Sequence, residues 1–161
     1  MSDYDYEADE VMAKNQIWFK VENQTGFQLT AQSCFADWGD FAEPPSSVAA
    51  YSTGPGGHVI SAQSPFTGSA GMVGYKVSAG SETLYLRFLG SNPYLSAKDN
   101  YSTSAVLAED QRIGQGEYNW LYYEPPRNGV SKPFNGGTLR IASQIGQADE
   151  ATAVFIVAFE E

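Results

Sequence analysis

The sequence has one cysteine and one histidine among its 161 residues. Cys34 alone closes no intrachain disulfide, which fits a reducing compartment and leaves secretion open. Any Ser-His-Asp or Cys-His nucleophilic system would have to use His58, which follows Gly56 and Gly57 and reads as an ordinary turn residue. One histidine and one cysteine do not make a typical zinc site, so no metal is expected. "GPGG" at 54–57 lacks the lysine-serine pair of a phosphate loop and reads as a turn; no cofactor is expected. Nothing singles out a pair of acids for hydrolysis. A binding protein is therefore favoured over an enzyme.

Basic residues are also scarce. Nine Lys and Arg stand against 19 Asp and Glu, a formal charge of −10. Such a chain repels nucleic-acid phosphates, and it avoids anionic bilayers unless it recognises a particular head group. No apolar run approaches the roughly 20 residues of a spanning helix. The first residues, "MSDYDYEADEVMAKNQ", contain no apolar signal core. The expectation is a soluble chain, cytoplasmic or exported without a standard cleaved signal. Asn23-Gln24-Thr25 and Asn100-Tyr101-Ser102 are sequons, relevant only in a secretory pathway.

What is present is glycine (16), proline (8) and 42% hydrophobic residues, enough for a core built from short strands and tight turns. The expected organisation is an acidic lead over 1–15 and one all-β domain over 16–161, a β-sandwich flanked by one or two short helices. Ser2 offers a cap for a short helix in the lead, against a disordered tail. "IWFKVE" alternates, with Ile17, Phe19 and Val21 on one side and Trp18 and Lys20 on the other. With the turn "NQTG" and the run "FQLTAQSCF", residues 17–35 read as a hairpin. "DWGDFAEPPSS" reads as a loop, and "AAYSTGPGGHVIS" as a turn before a short strand. Residues 71–89 form the clearest hairpin, with Val73, Tyr75 and Val77 before "SAGSE" and Leu84, Leu86 and Phe88 after it. Residues 90–104 read as a polar loop, "AVLAEDQR" as the start of a helical turn and "PPRNGVSKPFNGG" as a long loop. "TLRIASQI" and "TAVFIVAF" read as two closing strands.

The stretch "EYNWLYYEPPR" puts Tyr118, Trp120, Tyr122 and Tyr123 within six residues. On a helix Tyr118, Leu121 and Tyr122 share a face; on a strand Tyr118, Trp120 and Tyr122 do. Neither arrangement buries all four rings and also satisfies three phenol hydroxyls. Some rings should therefore be at least half exposed. Pro125 and Pro126 end the element.

Tyr118-x-x-Leu121-Tyr122-Tyr123 resembles the Tyr-x-x-Leu-Tyr-Tyr segment of the actinoporins, pore-forming cytolysins of sea anemones. "DQR" at 110–112, "VENQTGFQLT", "FTGSAGMVGYKV" and "NPYLSAKDNYS" are similar to further blocks of that family, in the same order across residues 17–159. The resemblance implies a site for the phosphocholine head group of sphingomyelin at a target membrane, with homo-oligomers there. It places Ala70, Ser91, Pro93, Tyr101, Tyr118, Tyr122 and Tyr123 in that site, completed by a serine or glycine near Gly57. Taken with this resemblance, Leu121 and Trp120 read as the packing side and Tyr118, Tyr122 and Tyr123 as the presenting side. The chemistry is sensible: a quaternary ammonium has no proton to donate and is held by aromatic faces, while phenols donate to the phosphate.

Two features depart from that family. Only about 15 residues precede the first strand, and they carry Asp3, Asp5, Glu7, Asp9 and Glu10. A 12-residue helix there would span roughly 18 Å, short of the roughly 30 Å hydrocarbon core. The tryptophan pair of the family is missing after Tyr101, which weakens interfacial anchoring. Aegerolysins and fungal fruit-body lectins share the fold. They leave two alternatives: a soluble lectin using the same aromatic surface for a glycan, or a non-lytic lipid-binding partner of another protein.

Overall fold

A computed structural model describes residues 15–61, 68–92, 102–146 and 150–161. The expected helix in the acidic lead lies outside them. Two antiparallel-rich sheets face each other. In chain order the strands are β1 (Gln16–Asn23), β2 (Thr30–Trp38), β3 (Asp40–Glu43), β4 (Thr53–Ile60), β5 (Ser69–Ala79), β6 (Glu82–Asn92), β7 (Ser102–Ala108), β8 (Gly129–Phe134), β9 (Gly137–Ile145) and β10 (Glu150–Glu160). One helix, α1 (Gln115–Tyr123), is present among the described residues. The larger sheet runs β3-β4-β1-β10-β9-β8 and the smaller β2-β5-β6-β7. The fold is the expected all-β sandwich.

Several expectations over the connecting segments are corrected. Residues 17–35 do not form a hairpin, because β1 pairs with β4 and β10 while β2 pairs with β5 in the other sheet. The turn between them is an Asx turn in which Thr25 N and Oγ1 both donate to Asn23 Oδ1, at 3.0 and 2.7 Å. Asn23 Nδ2 donates to the Phe27 and Ala49 carbonyls, so this sequon is buried and fully engaged. "GPGG" is no turn but part of β4. Gly57 there has φ +119, and a Cβ would come within 2.9 Å of the Phe41 ring. His58 belongs to the same strand rather than to a turn.

"AVLA" lies in β7, not in a helical turn, and residues 40–43 form β3. The long loop contains β8, which meets β9 through Asn135 and Gly136, both at positive φ as a type I′ turn requires. The 71–89 hairpin and the two closing strands are found as expected, and their alternation is the core pattern. Ile17, Phe19, Val21, Val73, Tyr75, Val77, Leu84, Leu86 and Phe88 meet Phe155 and Val157 between the sheets. Phe88 stacks on Phe155 at 4.5 Å between centroids.

The strands β5 and β6 are buried on both faces, because α1 covers the outer face of the smaller sheet. Alternation turns Arg87, Leu89 and Ser91 of β6 toward the helix, opposite the inward row of Leu84, Leu86 and Phe88. The connection into α1 is pinned by a buried arginine. Arg87 Nε donates to the Arg112 carbonyl at 3.0 Å and Nη2 to the Asp110 carbonyl at 2.8 Å. Gln111 donates to the Tyr75 carbonyl at 3.1 Å. "DQR" therefore acts here as an anchor for the helix that follows.

Candidate functional site

Helix α1 fixes the site. Gly114 precedes it without a side-chain cap, and Pro125 and Pro126 close it. Its helical period puts Tyr118 and Leu121 on the sheet and leaves Tyr122 half-buried. Trp120 is 44% exposed and Tyr123 77%. This corrects two expectations: Trp120 faces outward, where the Arg127 guanidinium lies 4.9 Å from its ring centroid, and Tyr118 is core rather than presented. The rings form a graded cluster. Tyr118 stacks on Tyr122 at 5.5 Å, Tyr122 meets Tyr123 edge-on at 5.0 Å, and Phe35 lies 5.9 Å from Tyr118.

Beneath the cluster, strand register sets one level of the smaller sheet. Trp38 pairs with Ala70, Ala70 with Ser91, and Ser91 with Ser102. Ala70 and Ser91 are fully buried and keep this level small in volume, while Trp38 meets Tyr122 edge-on at 5.9 Å. Of the expected residues, the structure brings together Ala70, Ser91, Tyr118, Tyr122 and Tyr123. Pro93 and Tyr101 lie outside the described residues. Gly57 takes no part, since it sits against Phe41 in the larger sheet.

Two residues of the site were missed in the sequence. The β2 strand alternates, with Cys34 and Ala36 turned to the inter-sheet core and Phe35 to the helix. A β-bulge between Ala36 and Trp38 inserts Asp37 and leaves Trp38 also on the helix side. "DWG" therefore reads as loop in the sequence, because a bulge breaks the period that identifies a strand.

The polar atoms are unusual. The Tyr118 hydroxyl and Ser91 Oγ are buried and have no hydrogen-bond partner among the described residues. Ser91 lies near enough to Tyr122 to favour its ionised form, but without good hydrogen-bond geometry. Burial raises the Tyr118 pKa far above the usual phenol range, and the Asp37 charge adds to the rise. Burial also raises that of Tyr122, with Tyr123 and Asp37 adding to it. Both phenols therefore keep their protons at neutral pH and are available to a ligand as donors.

A groove of about 700 Å³ lies on the other flank of α1, walled by Arg87, Asp110, Arg112, Glu117 and Trp120. Its charges are already paired: Arg87 with Asp110 and Glu117, and Arg112 with Asp110 at 2.8 Å. Among the described residues no three His, Cys, Asp or Glu side chains converge as metal ligands, and no helix is long and apolar enough to cross a membrane.

No family profile and no curated protein sequence matches the chain. Among solved structures, the lipid-binding protein Nakanori superposes with a TM-score of 0.67 at 15% identity, covering 98% of this chain and 79% of that one. The lectin XCL of Xerocomus chrysenteron gives a TM-score of 0.48 at 12% identity, covering 89% of this chain and 97% of that one. The chain thus shares its β-sandwich fold with Nakanori.

Proposed function

We propose that the protein binds membrane-lipid head groups of the phosphocholine type, sphingomyelin among them, through the face of α1 that carries Tyr122 and Tyr123. The observation that carries this reading is the unpartnered Tyr118 hydroxyl, buried with Ser91 Oγ close to the Tyr122 phenol and beneath an exposed phenol ring. A buried polar atom without a partner costs on the order of 1–3 kcal/mol, and a ligand oxygen removes that cost. The rings above supply faces for a methylated ammonium. Lipid binding by Nakanori, on the same fold, is consistent with this reading. The chain is proposed to act by binding and not as an enzyme. Lysis is a separate step that would rest on the acidic residues 1–15.

Flotation with vesicles of phosphatidylcholine, with and without sphingomyelin, tests the reading, and dye release from the same vesicles tests lysis. Binding to phosphocholine-headed vesicles is expected, with free phosphocholine competing. Tyr123→Ala is expected to weaken binding about tenfold at an unchanged melting temperature, because an exposed ring contributes little to the fold. Binding by glycans alone would favour the lectin alternative. Absence of binding to every phosphocholine-containing bilayer would sink the proposal.

A further inference from the structure

Asp37 is the inserted residue of the β2 bulge, and the bulge gives it a place in the aromatic site that a regular strand would not share between Asp37 and Trp38. Bulges next to binding sites re-aim side chains in this way. Asp37 is only partly exposed. Gln115, at the start of α1, donates to its Oδ1 at 3.1 Å and to Asn119 at 2.8 Å, so one amide ties the carboxylate to the helix. Among the described residues no lysine or arginine pairs with Asp37, whereas Asp110, on the other flank of α1, pairs with two arginines. A carboxylate with no cationic partner among the described residues thus stands next to Trp38 in β2 and within electrostatic reach of Tyr118 and Tyr122. Its field reaches the phenols, where it disfavours their ionisation.

We infer that Asp37 sets the charge selectivity of the site: its carboxylate is the counter-ion for the cationic end of a zwitterionic head group. The inference rests on the head-group reading above and adds a residue from a different strand. It also fixes an orientation. The ammonium lies toward Asp37 and the rings, and the phosphate lies toward the unpartnered hydroxyl of Tyr118 and the neighbouring hydroxyls of Ser91 and Tyr122. A carboxylate among aromatic faces suits a fixed cation, gives a neutral sugar no ionic gain, and repels a purely anionic head group.

The hydrogen bond from Gln115 supplies a structural role for the same carboxylate, and Asp37→Asn separates the two. The amide keeps an oxygen for Gln115 and removes the charge. The test measures binding of the full chain to phosphatidylcholine–sphingomyelin vesicles. Phosphocholine competes against 3,3-dimethylbutyl phosphate, which has the same shape with carbon in place of nitrogen. In the unaltered chain phosphocholine is expected to compete better by more than tenfold. In Asp37→Asn vesicle binding falls about tenfold, and the preference for the charged competitor shrinks by a similar factor. Asp37→Ser serves as the second variant if the first does not fold. Vesicle binding with an undiminished charge preference in these variants would overturn the inference and leave the head-group reading standing. No binding by the unaltered chain would overturn both.

Discussion

At the scale of single residues, the site is marked by groups that the fold leaves incomplete. Tyr118 shows this best, since a buried phenol that served packing alone would have been given an acceptor. Tyr118→Phe removes the unpartnered hydroxyl and keeps the ring stacked on Tyr122. The expected result is a melting temperature equal to or above that of the unaltered chain, together with phosphocholine binding weakened several-fold. Thermal unfolding and vesicle titration on one preparation check both halves. A loss of stability would mean that the hydroxyl has a structural partner after all.

His58 gives a second prediction at this scale. Its ring lies 3.4 Å from the Trp18 ring in a parallel stack, and Nε2 meets Gln16 Oε1 at 2.6 Å. Burial lowers its pKa from 6.5, against the opposing pull of Glu43 and Glu150. The folded state therefore prefers the neutral ring, while the unfolded chain takes up a proton as pH falls through 6.5. This contribution to stability is full above that pH and is lost below it. His58→Phe keeps a ring against Trp18 and removes the titration. Denaturant unfolding should show a smaller loss of stability between pH 7.5 and pH 5 in the variant than in the unaltered chain.

At the scale of elements, the helix depends on a buried charge. Arg87 is 3% exposed and holds the Asp110 and Arg112 carbonyls, on the connection that delivers α1 to the sheet. Arg87→Met fills similar volume but leaves both carbonyls and Glu117 without their donor. A loss of about 2–4 kcal/mol is expected, read from denaturant unfolding. Vesicle binding should fall with it, because the tyrosines lose their seat. An unchanged midpoint would show that α1 holds itself by packing of Tyr118 and Leu121 alone.

Elements also show what the sequence discloses. The β5–β6 hairpin was legible because Val73, Tyr75 and Val77 alternate and Gly80, at positive φ, marks the turn. β8 was hidden by Pro125, Pro126 and Pro133, although Asn135-Gly136 signalled the hairpin; an edge strand tolerates its proline. "GPGG" misled because its glycines serve close packing, Gly56 against Val21 and Phe19, and not a turn. The tyrosines of α1 were legible as a cluster, and Ala70 and Ser91 came only through the family resemblance. Asp37 and Trp38 were not legible, because their place depends on a one-residue insertion that erases the period of β2.

At the scale of the molecule, local recognition works against a global field. The chain carries a formal charge of −10, so it is repelled by an anionic surface whatever the site prefers. Asp37 belongs to both terms, since it attracts the ammonium at contact and adds to the repulsion at a distance. The two terms separate by range. Contact attraction in a partly buried site is weakly screened, whereas the long-range term decays over about 10 Å at 0.1 M salt. Replacing a fifth of a phosphatidylcholine bilayer by phosphatidylglycerol should therefore weaken binding, and raising the salt from 0.05 to 0.5 M should restore most of the loss. On purely zwitterionic vesicles the same change of salt should alter binding little. Flotation across the four conditions reads both effects. Stronger binding to the anionic vesicles at low salt would mean that the contact surface is basic, and the sandwich would then meet the membrane by a face other than α1.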